Sequence, residues 1–357
     1  MHGSKTSSAP DRSVHVMVLA GGIGSRFWPV STPTRPKQLL PLLGSTPLIR
    51  ETVERVLPML PRERIRILTG KRLAGPTLAA LPQFLPDHLM LEPKAKGTAP
   101  VLIWAAHALV RQDPDAIMIS LHADHHIAPA EAFRSLLLGM AARARAEDLL
   151  FTVGAVPDRP ETGYGYIRPG ARLTGEPVAH AVARFVEKPD RAAAEAYVAE
   201  GCFWNTGIFV WRAALLLEEV RRHTPEIAQQ LAHLDADDVA AFFDRVPTLN
   251  IDPAVLERSE RVAVVPATFA WDDVGTWDAI GRMRKADESG NVSVGDTHFV
   301  ESSDCVAWAE DGSIVVFGAS DLLVVRVGAV TFVAPRERAE ALKALLARLP
   351  ERLRETE

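Results

Sequence analysis

The chain has 357 residues, 47% of them hydrophobic and 24% charged, with a formal net charge of -5. That length and apolar content suffice for one large buried core plus a smaller unit, and the acidic excess argues against a nucleic-acid partner. No apolar run approaches the roughly 20 residues of a membrane span, and the first residues lack the apolar centre of a signal peptide, so a soluble, cytoplasmic protein with no membrane association is expected.

Residues 1–13, MHGSKTSSAPDRS, read as a disordered leader. The strand HVMVLA, His15 to Ala20, then runs into Gly21, Gly22 and Gly24, a cluster that lets backbone N–H groups approach an anion. Leu19, Ala20, Gly21, Gly22, Gly24 and Ser25 form a candidate phosphate cradle, to which Arg26 and Lys37 add charge. Pro29, Pro33 and Pro36 block the immediate helix that a dinucleotide fingerprint requires, and Phe27 stands where its third glycine belongs. A P-loop fails as well, since Gly70-Lys71 has Ile65 and Arg72 where that motif needs Gly and Ser or Thr. The ligand this loop suits is a nucleoside triphosphate.

Beyond the loop, the apolar runs IRILTG, HLMLEP, AIMISLH and LLFTVGAV alternate with helical patterns over Leu48 to Leu60, Thr98 to Arg111 and Glu131 to Glu147. This alternation predicts an α/β, Rossmann-like domain with a mainly parallel sheet, whose ligands bind at the carboxyl ends of the strands. The glycine loop and the segment HADHH both fall there. Asp124 directly follows AIMISLH, so its carboxylate is expected to project into the same crevice. His122, His125 and His126 surround it, but their spacing departs from the H-x-H-x-D-H of dinuclear hydrolases, and packing or loop hydrogen bonding is the expected role.

The stretch from Ala213 to Arg245 carries many charges, with His223 and His233 at no ligand-like spacing, and reads as a solvated helical insert. Cys202 and Cys305 read as buried, inert thiols. After Asn291 the pattern turns to the short β runs HFVES, CVAWA, SIVVF, LLVVRV and TFVAP, with Asp311-Gly312 as a hairpin turn. A helix from Arg336 to Leu349 closes the chain, with Ala339, Leu342, Leu345, Leu346 and Leu349 on one stripe. The expected division is therefore a large domain over residues 14–290 and a small β domain over 291–357. Because every motif lies upstream of Asn291, the crevice is expected to survive removal of the tail.

The loop pattern G-G-x-G-x-R-x-x-P followed by P-K resembles that of sugar nucleotidyltransferases. Trp28 and the run Pro36-Lys37-Gln38 are most similar to their mannose-1-phosphate guanylyltransferase branch. LEPKAKGTAP, HADHHI, PETGYGYI, RFVEKP, FWNTGIF and WDDVGTW follow in that family's order, covering most of Val14 to Arg284. The resemblance implies transfer of GMP from GTP to α-D-mannose 1-phosphate, giving GDP-mannose and pyrophosphate by Mg²⁺-dependent in-line displacement. It also implies a C-terminal left-handed β-helix that joins two copies as a homodimer, although no hexapeptide period is visible.

By the same resemblance Arg26 and Lys37 bind and polarise the triphosphate as catalytic residues, and Asp124 and Asp273 hold the metal, with Asp124 beside the nucleotide. Gln38, Gly97 and Thr98 contribute to the base pocket. Gly165, Glu187, Lys188 and Asn205 serve the sugar phosphate, the carboxylate and the amide meeting a hexose hydroxyl pair. Two segments depart from the family's pattern: His122 stands where relatives have proline, and Ala95-Lys96-Gly97-Thr98 lacks their asparagine. Two alternatives stay open. One is a nucleotidyltransferase for another nucleoside triphosphate or hexose 1-phosphate; the other is a regulatory subunit that senses nucleotide sugars without turnover.

Overall fold

The computed structural model of the chain describes residues 13–22 and 25–354. Gly24 and residues 1–12 of the expected leader lie outside the described residues. The first half alternates β1 (Val14–Leu19), α1 (Leu48–Val56), β2 (Ile65–Gly70), α2 (Ala74–Ala80), β3 (Leu89–Glu92), α3 (Thr98–Gln112), β4 (Ile117–His122), β5 (His126–Ala128), α4 (Ala130–Ala146) and β6 (Leu150–Ala155). Each of the four apolar runs and three helical patterns forms. Helix α1 stops short of Leu60 because Pro58 has no N–H with which to continue the ladder.

There follow β7 (Gly165–Leu173), β8 (Ala179–Glu187), α5 (Arg191–Ala199), β9 (Phe203–Arg212), four helices α6 (Ala213–His223), α7 (Pro225–Ala228), α8 (Leu231–Asp235) and α9 (Val239–Arg245), then β10 (Val262–Pro266), β11 (Ala270–Asp272) and α10 (Trp277–Met283). The main sheet has nine strands in the order β3-β2-β1-β4-β9-β6-β10-β8-β7. β8 and β9 run against the other seven, so the sheet is mainly parallel, with β9 inserted between β4 and β6.

The two faces of the sheet are separated by the pleat. Val16 and Val18 of β1 face one core with Ile49 and Val53 of α1 and Phe133 and Leu137 of α4. Met17 and Leu19 face the other, with Leu102 and Ala106 of α3. Helices α6 to α9 correct the expectation of a solvated insert. They bury Leu215, Leu216, Val220, Ile227, Phe242 and Phe243 in this second core, while charges such as Glu218, Arg221 and Arg222 are exposed, as in an amphipathic covering layer, and Glu219 is buried.

The C-terminal segment forms a second sheet, β12 (Val292–Val300), β13 (Val306–Phe317), β14 (Leu322–Val327) and β15 (Val330–Pro335), in sequential order, with short α11 (Leu342–Leu346) and α12 (Glu351–Arg354) after it. The first three strands are parallel and the last pair is a hairpin. The expected hairpin at Asp311-Gly312 is absent: β13 bends there, with Gly312 at φ +58 and the register on β12 jumping from Val294 opposite Trp308 to Asp296 opposite Ser313, but it continues parallel along the same partner. Parallel neighbours are joined by coils, not hairpins, and the Asp311 carboxylate instead accepts the Gly328 N–H in the β14–β15 turn at 2.8 Å. The expected helix from Arg336 to Leu349 is also shorter. Arg336 to Ala341 form a 3₁₀ segment, whose first residue is held by Asp304 O and by Asp278.

This second sheet packs on the segment that follows the glycine loop. Phe27, Trp28, Leu40 and Leu42 share one buried cluster with Val274, Trp277 and Ile280 and with Val306, Trp308, Leu323, Val325 and Phe332. The Trp277 indole N–H donates to Trp28 O at 3.2 Å, and the Trp28 indole N–H to Leu353 O at 2.9 Å. The tail thus forms the wall behind the crevice, which argues against the expectation that the crevice would survive its loss. Cys202 and Cys305 are buried and free. Among the described residues no helix is long and apolar enough to cross a membrane.

Candidate active site

The site begins where β1 ends. Ala20 N–H donates to Leu68 O at 2.8 Å and Ala123 N–H to Leu19 O at 2.9 Å, so the loops after β1, β2 and β4 leave the sheet at one edge. Gly22 holds φ +105, a conformation that suits glycine. The Gln38 amide donates to Ala20 O at 2.7 Å and to Gly22 O at 3.3 Å, and the residue is buried. Gln38 therefore shapes the loop from inside, which corrects its expected place in the base pocket. Ser25 to Phe27 make one 3₁₀ turn that leaves Arg26 exposed.

Lys37, in the turn Lys37–Leu39, is 7% exposed and reaches across the site. Its Nζ lies 2.5 Å from Asp273 O and 2.9 Å from Asp124 Oδ2. Arg26, Lys37, His122, Asp124, Asp273 and Gly275 line one polar cavity of about 260 Å³. Both expected cations and both expected metal carboxylates thus meet in a single space. His122 also lines a second, mostly apolar cavity of about 290 Å³, with Leu19, Gly21, Gly22, Gly97 and Thr98. At Gly97, φ is +81 and an added Cβ would lie 2.5 Å from Leu249 O, so the backbone there admits no side chain.

On the other flank a cavity of about 530 Å³ shares Arg26, Asp273 and Gly275 with the first and adds Arg159, Tyr164 and Lys188. Gly165 of β7 pairs with Glu187 of β8, and an added Cβ there would lie 2.6 Å from Glu187 Oε2. Glu187 is ion-paired with Lys188. Asn205 of β9 accepts from Thr152 Oγ1 at 3.2 Å and Gly207 N at 3.3 Å and donates to Asp252 Oδ1 at 2.8 Å. The central cavity thus shares His122 with the apolar one and Arg26, Asp273 and Gly275 with the large one.

Comparison with known proteins places this geometry. The profile of the nucleotidyl transferase family matches residues 15–290. The chain belongs to that family. A second profile, that of the MannoseP isomerase/GMP-like beta-helix domain, matches residues 295–349, in line with the expected β-helix and with the parallel strands β12 to β14. The chain is 36% identical over 353 residues to the mannose-1-phosphate guanylyltransferase ManC of Salmonella typhimurium, covering 94% of this chain and 73% of that one. It is 35% identical over 345 residues to the alginate biosynthesis protein AlgA of Pseudomonas aeruginosa, covering 92% and 70%. The crystal structure of a Thermus thermophilus protein described as a mannose-1-phosphate geranyltransferase superposes with a TM-score of 0.86 at 34% identity, over 94% of this chain and 99% of that one.

Within this nucleotidyl transferase site the charges are unequal. Burial pushes the Asp124 carboxyl up, but Lys37, His125 and His122 outweigh it and hold the group below the usual aspartate range. Asp273 is raised by burial, with Lys37 and the Tyr164 hydroxyl opposing. Burial lowers His122 and His125, which are therefore neutral near pH 7. The Trp271 indole N–H donates to His125 Nδ1 at 3.2 Å, which places the His125 proton on Nε2, 4.0 Å from Asp124 Oδ1. So although donor atoms of His122, Asp124 and His125 lie within 4.8 Å of one another, His125 has no lone pair to give a metal. His122 stacks on His125 at 4.7 Å, and His126 sits in the β5–β11 bridge.

Sequence reasoning missed three residues. Tyr164 donates its hydroxyl to Asp273 Oδ1 at 2.6 Å, and its signal lay in the PETGYGYI segment. Arg159 lies 4.9 Å over the Trp204 ring and 3.6 Å from Asp272. Asp252, in NIDP, carried no local signal. Burial, reinforced by Glu187, pushes its carboxyl up to about 6. A raised acid means the folded state loses stability as pH rises from 3.8 to about 6 and keeps that penalty above it. Asp252→Asn is accordingly expected to raise Tm at pH 8, by an amount that shrinks as the pH is lowered towards about 4. A gain independent of pH in thermal melts would show that ionisation is not its cause.

Proposed function

We propose that the chain transfers GMP from GTP to α-D-mannose 1-phosphate, releasing pyrophosphate. The observation that carries this is a set of three cavities, the central one sharing lining residues with each of the others: an apolar slot beside Gly97 and Thr98, a central chamber with Lys37, Arg26, Asp124 and Asp273, and a large cationic chamber with Lys188. A purine nucleoside suits the first, the α-phosphorus the second and the sugar phosphate the third. The two relatives named above, at 35–36% identity and carrying guanylyltransferase and alginate-biosynthesis names, support the choice of GTP and mannose.

In the reaction a phosphate oxygen of mannose 1-phosphate forms a bond to the α-phosphorus while the bond to the leaving pyrophosphate oxygen breaks on the opposite side. Arg26 and Lys37 face the triphosphate and meet the charge that develops on it. Asp124 and Asp273 fit a hard divalent cation, for which we propose Mg²⁺. Both offer carboxylate oxygens, Lys37 engages Asp124 through Oδ2 alone, and Asp273 Oδ2 occupies a cradle that a Cβ at Gly275 would fill to 2.6 Å. When bound, such an ion neutralises phosphate oxygens and stabilises the leaving group. Tyr164 and the Lys37 ammonium orient the segment that carries Asp273. Residues 14–290 hold this chemistry in our assignment, and 291–357 the expected assembly surface, where Val315 and Phe317 are 67% and 69% exposed.

Asp124→Asn and Asp273→Asn are each expected to lower turnover at limiting Mg²⁺ by at least about tenfold while the fold is kept, because the charge goes and the volume stays. Turnover across a Mg²⁺ titration, beside thermal melting, checks this; a folded variant with wild-type metal dependence removes that residue from the metal site. Glu187→Gln is expected to raise KM for mannose 1-phosphate by about 10- to 100-fold, the equivalent of one charge-assisted hydrogen bond of about 1.5–3 kcal/mol, with KM for GTP almost unchanged. Steady-state kinetics with each substrate varied decides it. Equal losses for both substrates would assign Glu187 a structural role.

A further inference from the structure

One four-residue segment, Leu249 to Asp252, touches both substrate flanks. Leu249 N–H donates to Lys96 O at 2.9 Å and Ala99 N–H to Leu249 O at 3.1 Å. Thr98 N–H approaches Asn250 Oδ1 at 3.4 Å, and Ile251 N–H donates to Thr98 Oγ1 at 2.9 Å. These bonds hold the loop beside the apolar slot. Two residues on, Asp252 opens a single π-turn, Asp252–Leu256, a local geometry found mostly at functional sites. Its Oδ1 accepts from Asn205 Nδ2 at 2.8 Å on the sugar flank.

A carboxylate accepts and does not donate, so it fixes which end of a facing amide turns towards it. Asn205 Oδ1 is already spent on Thr152 Oγ1 and Gly207 N. With one Nδ2 hydrogen on Asp252, Asn205 has a single hydrogen left to offer and so presents a donor, while the acceptor Glu187 is near enough to push the Asp252 carboxyl up. We infer that Asp252 is a positioning residue for hexose selectivity: it locks the Asn205 amide so that Asn205 donates to, and Glu187 accepts from, a pair of sugar hydroxyls. This rests on the proposed assignment of Glu187, Lys188 and Asn205 to the sugar phosphate, of which Lys188 lines the large cavity.

The test uses the full chain with three variants. Asp252→Ala is expected to raise KM for mannose 1-phosphate about tenfold, to leave KM for GTP within about twofold, and to shrink the preference for mannose 1-phosphate over its C2 epimer glucose 1-phosphate about tenfold. Asp252→Asn retains an acceptor while Gly207 and Thr152 still hold Asn205 Oδ1, so it should stay within about threefold of wild type. Asn250→Ala, two residues away, should do the reverse of Asp252→Ala and weaken GTP. Calorimetry of mannose 1-phosphate with a non-hydrolysable GTP analogue bound reports sugar binding without turnover. An Asp252→Ala chain with wild-type sugar affinity and epimer preference, one in which GTP weakens equally, or an Asp252→Asn chain as impaired as Asp252→Ala overturns the inference. A wild-type chain that binds mannose 1-phosphate without releasing pyrophosphate overturns the proposed activity alone, and one that binds no sugar phosphate overturns both.

Discussion

Lys37→Ala is expected to lower saturating turnover by about 10²- to 10³-fold, the loss that follows removal of one donor aimed at charge developing in a transition state. Its ammonium is buried at the junction of two segments, bonded to Asp273 O at 2.5 Å and Asp124 Oδ2 at 2.9 Å. Nothing else in the central cavity occupies that position, since Arg26 lies on the exposed rim. Some thermal stability should go with it, because Asp124 is left without its cation. Pairing Lys37→Met with Asp124→Asn removes both charges and separates the two effects: the double variant should recover melting temperature but not turnover. Rates normalised to folded protein at saturating GTP make the comparison. If KM for GTP rises while saturating turnover is unchanged, Lys37 contributes uniform binding and its transition-state role is wrong.

Removal of residues 291–357 is expected to abolish turnover and leave an aggregating chain. The cut uncovers Phe27, Trp28, Leu40, Leu42, Trp277 and Ile280, each of which is buried in the cluster shared with the C-terminal sheet. At about 1.5–3 kcal/mol for each large side chain, six such residues amount to about 9–18 kcal/mol, as large as the roughly 5–15 kcal/mol that holds a whole domain together. The damage is also local to the chemistry, because Phe27 and Trp28 directly follow Arg26 and Trp277 follows Asp273 by four residues. Solubility, cooperative melting and single-turnover rate of the truncated chain are the measurements. A soluble truncation that melts cooperatively and keeps its single-turnover rate would show that the second sheet does not support the site.

The central cavity was legible because its parts are signalled within short stretches. Gly21, Gly22, Arg26 and Lys37 sit in one loop, Asp124 follows a largely apolar strand, and Asp273 lies between tryptophans, so local pattern and strand polarity place all of them at one edge of the sheet. What stayed hidden depends on side-chain direction or on distant partners. Gln38 adjoins Lys37, yet it turns inward to the loop carbonyls while Lys37 turns to the cavity. Tyr164 and Asp273 are 109 residues apart, and Asn205 and Asp252 are 47 apart. The buried face of α6 to α9 was masked by an abundance of charge, although Leu215, Leu216, Phe242 and Phe243 supply an apolar stripe. Asp311-Gly312 has hairpin composition, but its neighbours pair in parallel and leave no hairpin for it to close.

The most direct test of the central claim is pyrophosphate release by the purified full-length chain with Mg²⁺, across GTP, ATP, UTP and dTTP, each paired with mannose 1-phosphate and with glucose 1-phosphate. GTP with mannose 1-phosphate should give the highest kcat/KM, with GDP-mannose identified by mass as the second product. A higher kcat/KM for any other pair, or binding of GTP and mannose 1-phosphate without release of pyrophosphate, would contradict it.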